Sequence, residues 1–172
     1  DLVRSRGLGD VYKRQLSHLL SPVERGPLLE VGCGTGYFAS WLAGLGFHVV
    51  GLDPSASMLK AAKERYPKIS YLLGRGESLP FTSHSFAVVA FITSLEFIVR
   101  PRIALREASR VARQTIILGV INRLSPYILY RRLRKRPPYE QAKFYSIAEL
   151  EGLLRSSLHR PFRTAWATAV LS

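Results

Sequence analysis

From Leu28 onward the chain alternates short apolar runs with segments whose apolar positions recur at helical spacing. Leu28 to Val31 reads as a buried strand that runs into the glycine-rich stretch Gly32-Cys33-Gly34-Thr35-Gly36. Tyr37 to Leu45 reads as a helix stopped at Gly46, and His48 to Leu52 as a second strand followed by Asp53-Pro54-Ser55. Met58, Leu59 and Ala62 mark a helix over Ala56 to Tyr66, which Pro67 ends. Ile69 to Leu73 gives a third strand, Phe86 to Ile92 a fourth, Thr115 to Val120 a fifth and Phe162 to Leu171 a sixth. Ile103, Leu105, Ala108 and Val111 predict an amphipathic helix over Arg102 to Ala112. Ser146, with Glu149 at the capping-box spacing, opens a last helix through Leu158.

Parallel strands need crossover connections, and helices between strands supply them. The fold class is therefore α/β: a doubly wound, mostly parallel sheet with helices on both faces. In such sheets a ligand binds beyond the carboxyl ends of the strands, near the point where strand order reverses. Gly32 to Gly36 follows the first strand, and its glycines permit a tight turn and close approach of a ligand to the backbone. Asp53 ends the second strand and can accept from both hydroxyls of a ribose. Gly34-Thr35-Gly36-Tyr37-Phe38-Ala39 also fits the G-x-G-x-x-A form of a dinucleotide site. Loop and acid alone therefore leave the nucleotide-type cofactor open.

Composition changes this picture little. The 172 residues suit one domain with a full core, and the apolar fraction of 47% is ordinary for a globular protein. No apolar run reaches membrane-spanning length, no signal-peptide pattern is present, and one cysteine, Cys33, fits a reducing, cytoplasmic setting. A net charge of +13 invites a polyanionic partner, but apart from the cluster Arg131, Arg132, Arg134, Lys135 and Arg136 it is scattered, as on a solvated surface. Residues 1–15 show no clean periodicity, resemble a translated sequencing-adapter remnant, and are read as a non-native or disordered tail before a domain at 16–172. Without them the net charge is still +11. The chain ends inside an apolar, strand-like run, which is read as truncation.

Four stretches in order carry a family resemblance. Glu30-Val31-Gly32-Cys33-Gly34-Thr35-Gly36 resembles the first motif of the class I S-adenosylmethionine (SAM)-dependent methyltransferases. Gly74-Arg75-Gly76-Glu77-Ser78-Leu79-Pro80-Phe81, followed by Ser85-Phe86, resembles the next signature of the ubiquinone/menaquinone-biosynthesis-like (type 11) subgroup. Arg106-Glu107-Ala108-Ser109-Arg110-Val111 is similar to its helix before the fifth strand, and Phe144-Tyr145-Ser146-Ile147-Ala148-Glu149-Leu150 to the helix after it. The resemblance spans residues 28–155 and implies SAM rather than NAD as cofactor.

It also implies roles. Glu30 lies near the cofactor's amino group or orders the loop, and the backbone of Gly32, Cys33, Gly34, Thr35 and Gly36 passes its methionine part. Asp53, with Pro54 beside it, holds the ribose, and Met58 packs near the adenine or else sits in the helix core. Gly76 and Glu77 lie at the adenine end, and Thr93 and Ser94 border the methionine end and the acceptor. Cys33 is a small packing residue rather than a nucleophile.

The sequence departs from the family at three places. Arg75 stands where an Asp usually accepts from the adenine amino group, and arginine has only donors. Ala87 replaces another usual Asp, and Arg113-Gln114 replaces a Pro-Gly-Gly turn. Adenine selection then rests on backbone groups and stacking.

Methyl transfer from a sulfonium is an in-line displacement, so the protein has to align donor and acceptor and exclude water. A base is needed only where the acceptor sheds a proton. His84 reads as a solvated loop residue, and His48 and His159 as structural. Glu96, past the fourth strand, is the candidate to face the acceptor, the catalytic residue being otherwise unassigned; no metal is expected. Residues 122–143 are the place where the family inserts a cap, here with the apolar-aromatic stretch Leu124 to Tyr130 ahead of the arginine cluster. Residues 124–136 could also touch a membrane surface peripherally. A small-molecule methyl acceptor is favoured over nucleic acid, since basic and aromatic residues do not interleave. The alternatives are an RNA methyltransferase and a non-catalytic SAM-binding module.

Overall fold

The computed structural model describes residues 6–121, 123, 142–158 and 164, with the side chains of 6–12 left aside. Most of the expected sixth strand, most of the insertion at 122–143, the arginine cluster and His159 lie outside the described residues. Two compact units emerge where one domain is expected: Arg25–His159, and Asp1–Glu24 with Arg160–Ser172.

In the smaller unit, helix α1 spans Arg6–Leu20. The helix runs through residue 15. Leu8, Val11, Tyr12, Leu16, Leu19 and Leu20 are spaced as one helical stripe, which Gly7, Gly9 and the charged residues among them obscure.

The larger unit is built on five strands: β1 (Pro27–Val31), β2 (His48–Asp53), β3 (Ser70–Leu73), β4 (Phe86–Ile92) and β5 (Ala112–Gly119). All pair in parallel in the order β3-β2-β1-β4-β5. Succession reverses between β1 and β4, so the switch point lies where the glycine loop leaves β1. Helices α2 (Tyr37–Gly44) and α3 (Ala56–Arg65) make the crossovers to β2 and β3, and α4 (Pro101–Val111) that to β5. Right-handed crossovers running in opposite directions from β1 put α2 and α3 on one face and α4 on the other. Interior strand β4 is buried at all seven positions, as a strand covered on both faces must be. The core joins Leu29, Val31, Val89 and Phe91 of the sheet to Leu105 and Ala108 of α4 and to Leu150 and Leu154 of α5 (Ile147–Ser157).

Two details correct expectation. Helix α2 ends one residue earlier, in a Schellman turn: Gly46, at φ 91°, donates to Ala43 O (3.0 Å), and Phe47 donates to Leu42 O (3.4 Å). Strand β5 begins at Ala112 rather than Thr115, directly after α4. Phe86 pairs with Ala112 and Val88 with Thr115, so β5 carries one extra residue at Arg113-Gln114. A bulge thus absorbs the missing turn.

Candidate functional site

The carboxyl ends of β1, β2 and β4 converge on the glycine loop. Gly32 N donates to Leu52 O at 2.7 Å and Cys33 N to the same oxygen at 3.1 Å, which fastens the loop to β2. Gly32 (φ 76°) and Gly34 (φ 53°) are left-handed for different reasons. A Cβ on Gly32 would lie 2.5 Å from Ser94 Cβ, so no side chain fits there. A Cβ on Gly34 would meet nothing within 4 Å, so the loop faces open space at that point. Cys33 packs its sulfur against Gly51, and burial pushes its thiol up, out of nucleophilic range, as a packing residue requires.

Asp53 is buried, and each of its oxygens accepts one backbone N–H: Oδ2 from Gly34 (2.8 Å) and Oδ1 from Ser55 (2.9 Å). A carboxylate has further lone pairs, so capacity for two hydroxyls remains. Ser55 caps α3 by accepting from Met58 N at 3.3 Å. Met58 itself is 46% exposed, which removes the helix-core reading of that residue. Pro54 is exposed beside it, and Thr35 is partly buried in the loop.

Glu30 is 1% exposed, and its Oε2 has no hydrogen-bond partner among the described residues. Burial, and then the charge of Asp53, hold its carboxyl well above the usual carboxylate range. Across the switch point, Ser94 donates to Val31 O at 2.6 Å and clamps β4 to β1. Thr93 sits at φ 52°, unusual for a β-branched residue, with its N–H on Gly119 O at 2.7 Å. Backbone strain of this kind gathers at sites the surrounding structure holds in place.

The structure therefore brings Glu30, Gly32, Cys33, Gly34, Asp53 and Ser94 together. Gly76 is buried against Val31, Ile98 and Ala104, where a Cβ would lie 2.9 Å from Val31 Cγ1. Glu77 Oε1 accepts from Arg100 N (3.3 Å) ahead of α4, so it braces that helix as well as following Gly76. Arg75 is exposed, its carbonyl taken by Ser78 N at 3.1 Å. His84 and His48 are exposed.

Glu96 stands apart: it is buried in the 3₁₀ turn Leu95–Phe97, with Oε1 on Ile121 N (2.8 Å) beyond β5. Tyr145 is buried with its hydroxyl unpartnered among the described residues. Sequence reasoning used Tyr145 only as part of a helix signature, because nothing in a sequence shows that a hydroxyl lacks a partner. No described helix is long and apolar enough to cross a membrane.

A model of the methyltransferase domain matches residues 29–118, from β1 into β5. The chain belongs to the SAM-dependent methyltransferases of this type, and SAM is its cofactor. It is 37% identical over 150 residues to an uncharacterized protein of Mycobacterium tuberculosis, with 78% of this chain and 50% of that one covered. It is 34% identical over 111 residues to the demethylmenaquinone methyltransferase of Renibacterium salmoninarum, covering 64% of this chain and 47% of the relative. A SAM-dependent methyltransferase of Thermotoga maritima, described as a possible histamine N-methyltransferase, superposes with a TM-score of 0.73 at 31% identity. That match covers 86% of this chain and 68% of the other. The chain thus spans about half the length of these curated relatives.

Proposed function

We propose that this chain transfers the methyl group of SAM to a small-molecule acceptor bound over the ends of β4 and β5. The observation that carries the reading is Glu30, a buried carboxyl group with an oxygen unmet among the described residues, beside a glycine loop that faces open space at Gly34. An unpaired buried carboxylate is costly, and an ammonium group, as on the methionine part of SAM, relieves the cost. Bound SAM supplies a methyl carbon on a positively charged sulfur, already joined to a good leaving group.

The chain's own residues bind and orient. Glu30 receives the ammonium, the Gly32 to Gly36 backbone lies along the methionine part, and Asp53 accepts from the ribose hydroxyls. Met58, Gly76 and Glu77 border the adenine, with Arg75 offering donors only. Thr93 and Ser94 border the methionine end. Alignment of this kind is the main source of rate in methyl transfer. The demethylmenaquinone methyltransferase among the relatives favours a quinol-type ring as acceptor, and the Thermotoga neighbour an amine-bearing ring.

Calorimetric titration with SAM, followed by release of S-adenosylhomocysteine with a reduced naphthoquinone and with histamine, tests the proposal. Saturable SAM binding with turnover of either acceptor is expected. Binding without any turnover would favour a SAM-binding module, and absence of binding defeats both readings.

A further inference from the structure

Two buried polar atoms beyond β4 are left over by the cofactor site. Glu96 is 2% exposed and Tyr145 4% exposed, and Glu96 Oε2 and Tyr145 Oη both lack a partner among the described residues. They come from distant parts of the sequence that the backbone ties together. Glu96 O accepts from Lys143 N at 2.7 Å, and Tyr145 O accepts from Arg123 N at 3.1 Å. Glu96 Oε1 meanwhile accepts from Ile121 N at 2.8 Å. The exits of β4 and β5 and the approach to α5 thus converge at the carboxyl end of the sheet, where ligands of this fold bind. Bracing Ile121 uses one carboxylate oxygen, and a glutamine would serve equally. Among the described residues, neither the second oxygen nor the hydroxyl of Tyr145 meets a hydrogen-bond partner.

We propose that Glu96 Oε2 and Tyr145 Oη form the polar part of the methyl-acceptor subsite and receive a ring N–H or O–H of a small acceptor, with Glu96 taking its proton. The proposal rests on the methyltransferase reading above. In the transfer, an acceptor lone pair forms the new bond to the methyl carbon while the carbon–sulfur bond breaks. Its electron pair stays on sulfur as S-adenosylhomocysteine, and the acceptor's proton goes to Glu96 Oε2 and then to solvent. Burial pushes the Glu96 carboxyl up to about 7 against the opposing pull of the Ile121 N–H, a suitable range for a base near neutrality. Among the described residues, the other titratable groups around the pair are Lys143, whose Nζ lies 5.7 Å from the Tyr145 ring centroid, and Glu149, which pairs with Arg123 at 2.8 Å.

The test uses the full chain saturated with S-adenosylhomocysteine and labelled with ¹³C at the glutamate carboxyls. The Glu96 resonance, identified by its absence from Glu96→Gln, is expected to titrate near pH 7. It is expected to shift when histamine (an N–H probe) or 1,4-naphthohydroquinone (an O–H probe) is added. Tyr145→Phe should weaken the effective probe roughly fivefold to tenfold. In turnover with that probe, Glu96→Gln should lower kcat roughly 100-fold and flatten its fall below pH 7, with the KM for SAM unchanged. A Glu96 signal indifferent to both probes, or a Glu96→Gln variant with wild-type kcat and pH profile, overturns the proposal. A chain that binds no S-adenosylhomocysteine overturns the cofactor reading and this proposal together.

Discussion

Glu30 shows how one residue can couple cofactor binding to protons. Its carboxyl is held protonated well above the usual range by burial first and by Asp53 second. An arriving ammonium favours the ionised form, so SAM binding should release a proton. Calorimetry in buffers of different ionisation enthalpy should show a binding heat that varies with buffer, and Glu30→Gln should remove that variation. The stability effect has the opposite sense to an ordinary ion-paired acid. The folded state holds a proton that the unfolded state gives up above its usual pKa, so this contribution is present at low pH and is lost as pH rises. Without ligand, the melting temperature of Glu30→Gln should therefore gain on wild type as pH goes from 5 to 8. Gly32 makes a different demand. At φ 76°, with Ser94 Cβ 2.5 Å from where a Cβ would stand, Gly32→Ala should cost at least about 2 kcal/mol in denaturant unfolding. The glycine loop and Asp53 were legible in sequence because their chemistry is local. The hydroxyl of Tyr145, unmet among the described residues, was not, since only the folded packing sets its surroundings.

At the scale of elements, helices with sharp punctuation were readable. The capping box predicted at Ser146 forms in full: Ser146 Oγ accepts from Glu149 N at 3.3 Å, and Glu149 Oε2 accepts from Ser146 N at 2.8 Å. Ser146→Ala should cost about 1 kcal/mol. Arg123→Ala should leave the unfolding midpoint nearly unchanged, because both partners of the Arg123–Glu149 pair are more than 40% exposed. The passage from α4 to β5 was not readable. Arg113-Gln114 carries no turn signal, and register against Phe86 and Val88 fixes where the strand begins. Helix α1 was not readable for a different reason: Gly7, Gly9 and the charges between its apolar positions interrupt the stripe.

For the whole molecule, alternation of strands and helices was enough to reach a doubly wound sheet, because parallel pairing leaves few connections. Strand order β3-β2-β1-β4-β5 then puts the switch point at the glycine loop that follows β1. The division into two units, with α1 and the C-terminal segment in the smaller one, had no local signal. SAM binding should stabilise the chain as a whole. At a hundredfold excess over Kd the gain is about 2.7 kcal/mol, a rise in Tm of several degrees in a domain of this size. NAD at the same concentration should leave Tm unchanged.

The most direct test of the central claim is calorimetric titration of SAM into the full chain and into its Asp53→Ala variant. The account predicts one saturable site in the wild type, with affinity at least about tenfold weaker in the variant as charge-assisted bonds to the ribose are lost. Equal affinity in the two chains, or no heat of SAM binding in a folded wild type, would contradict it.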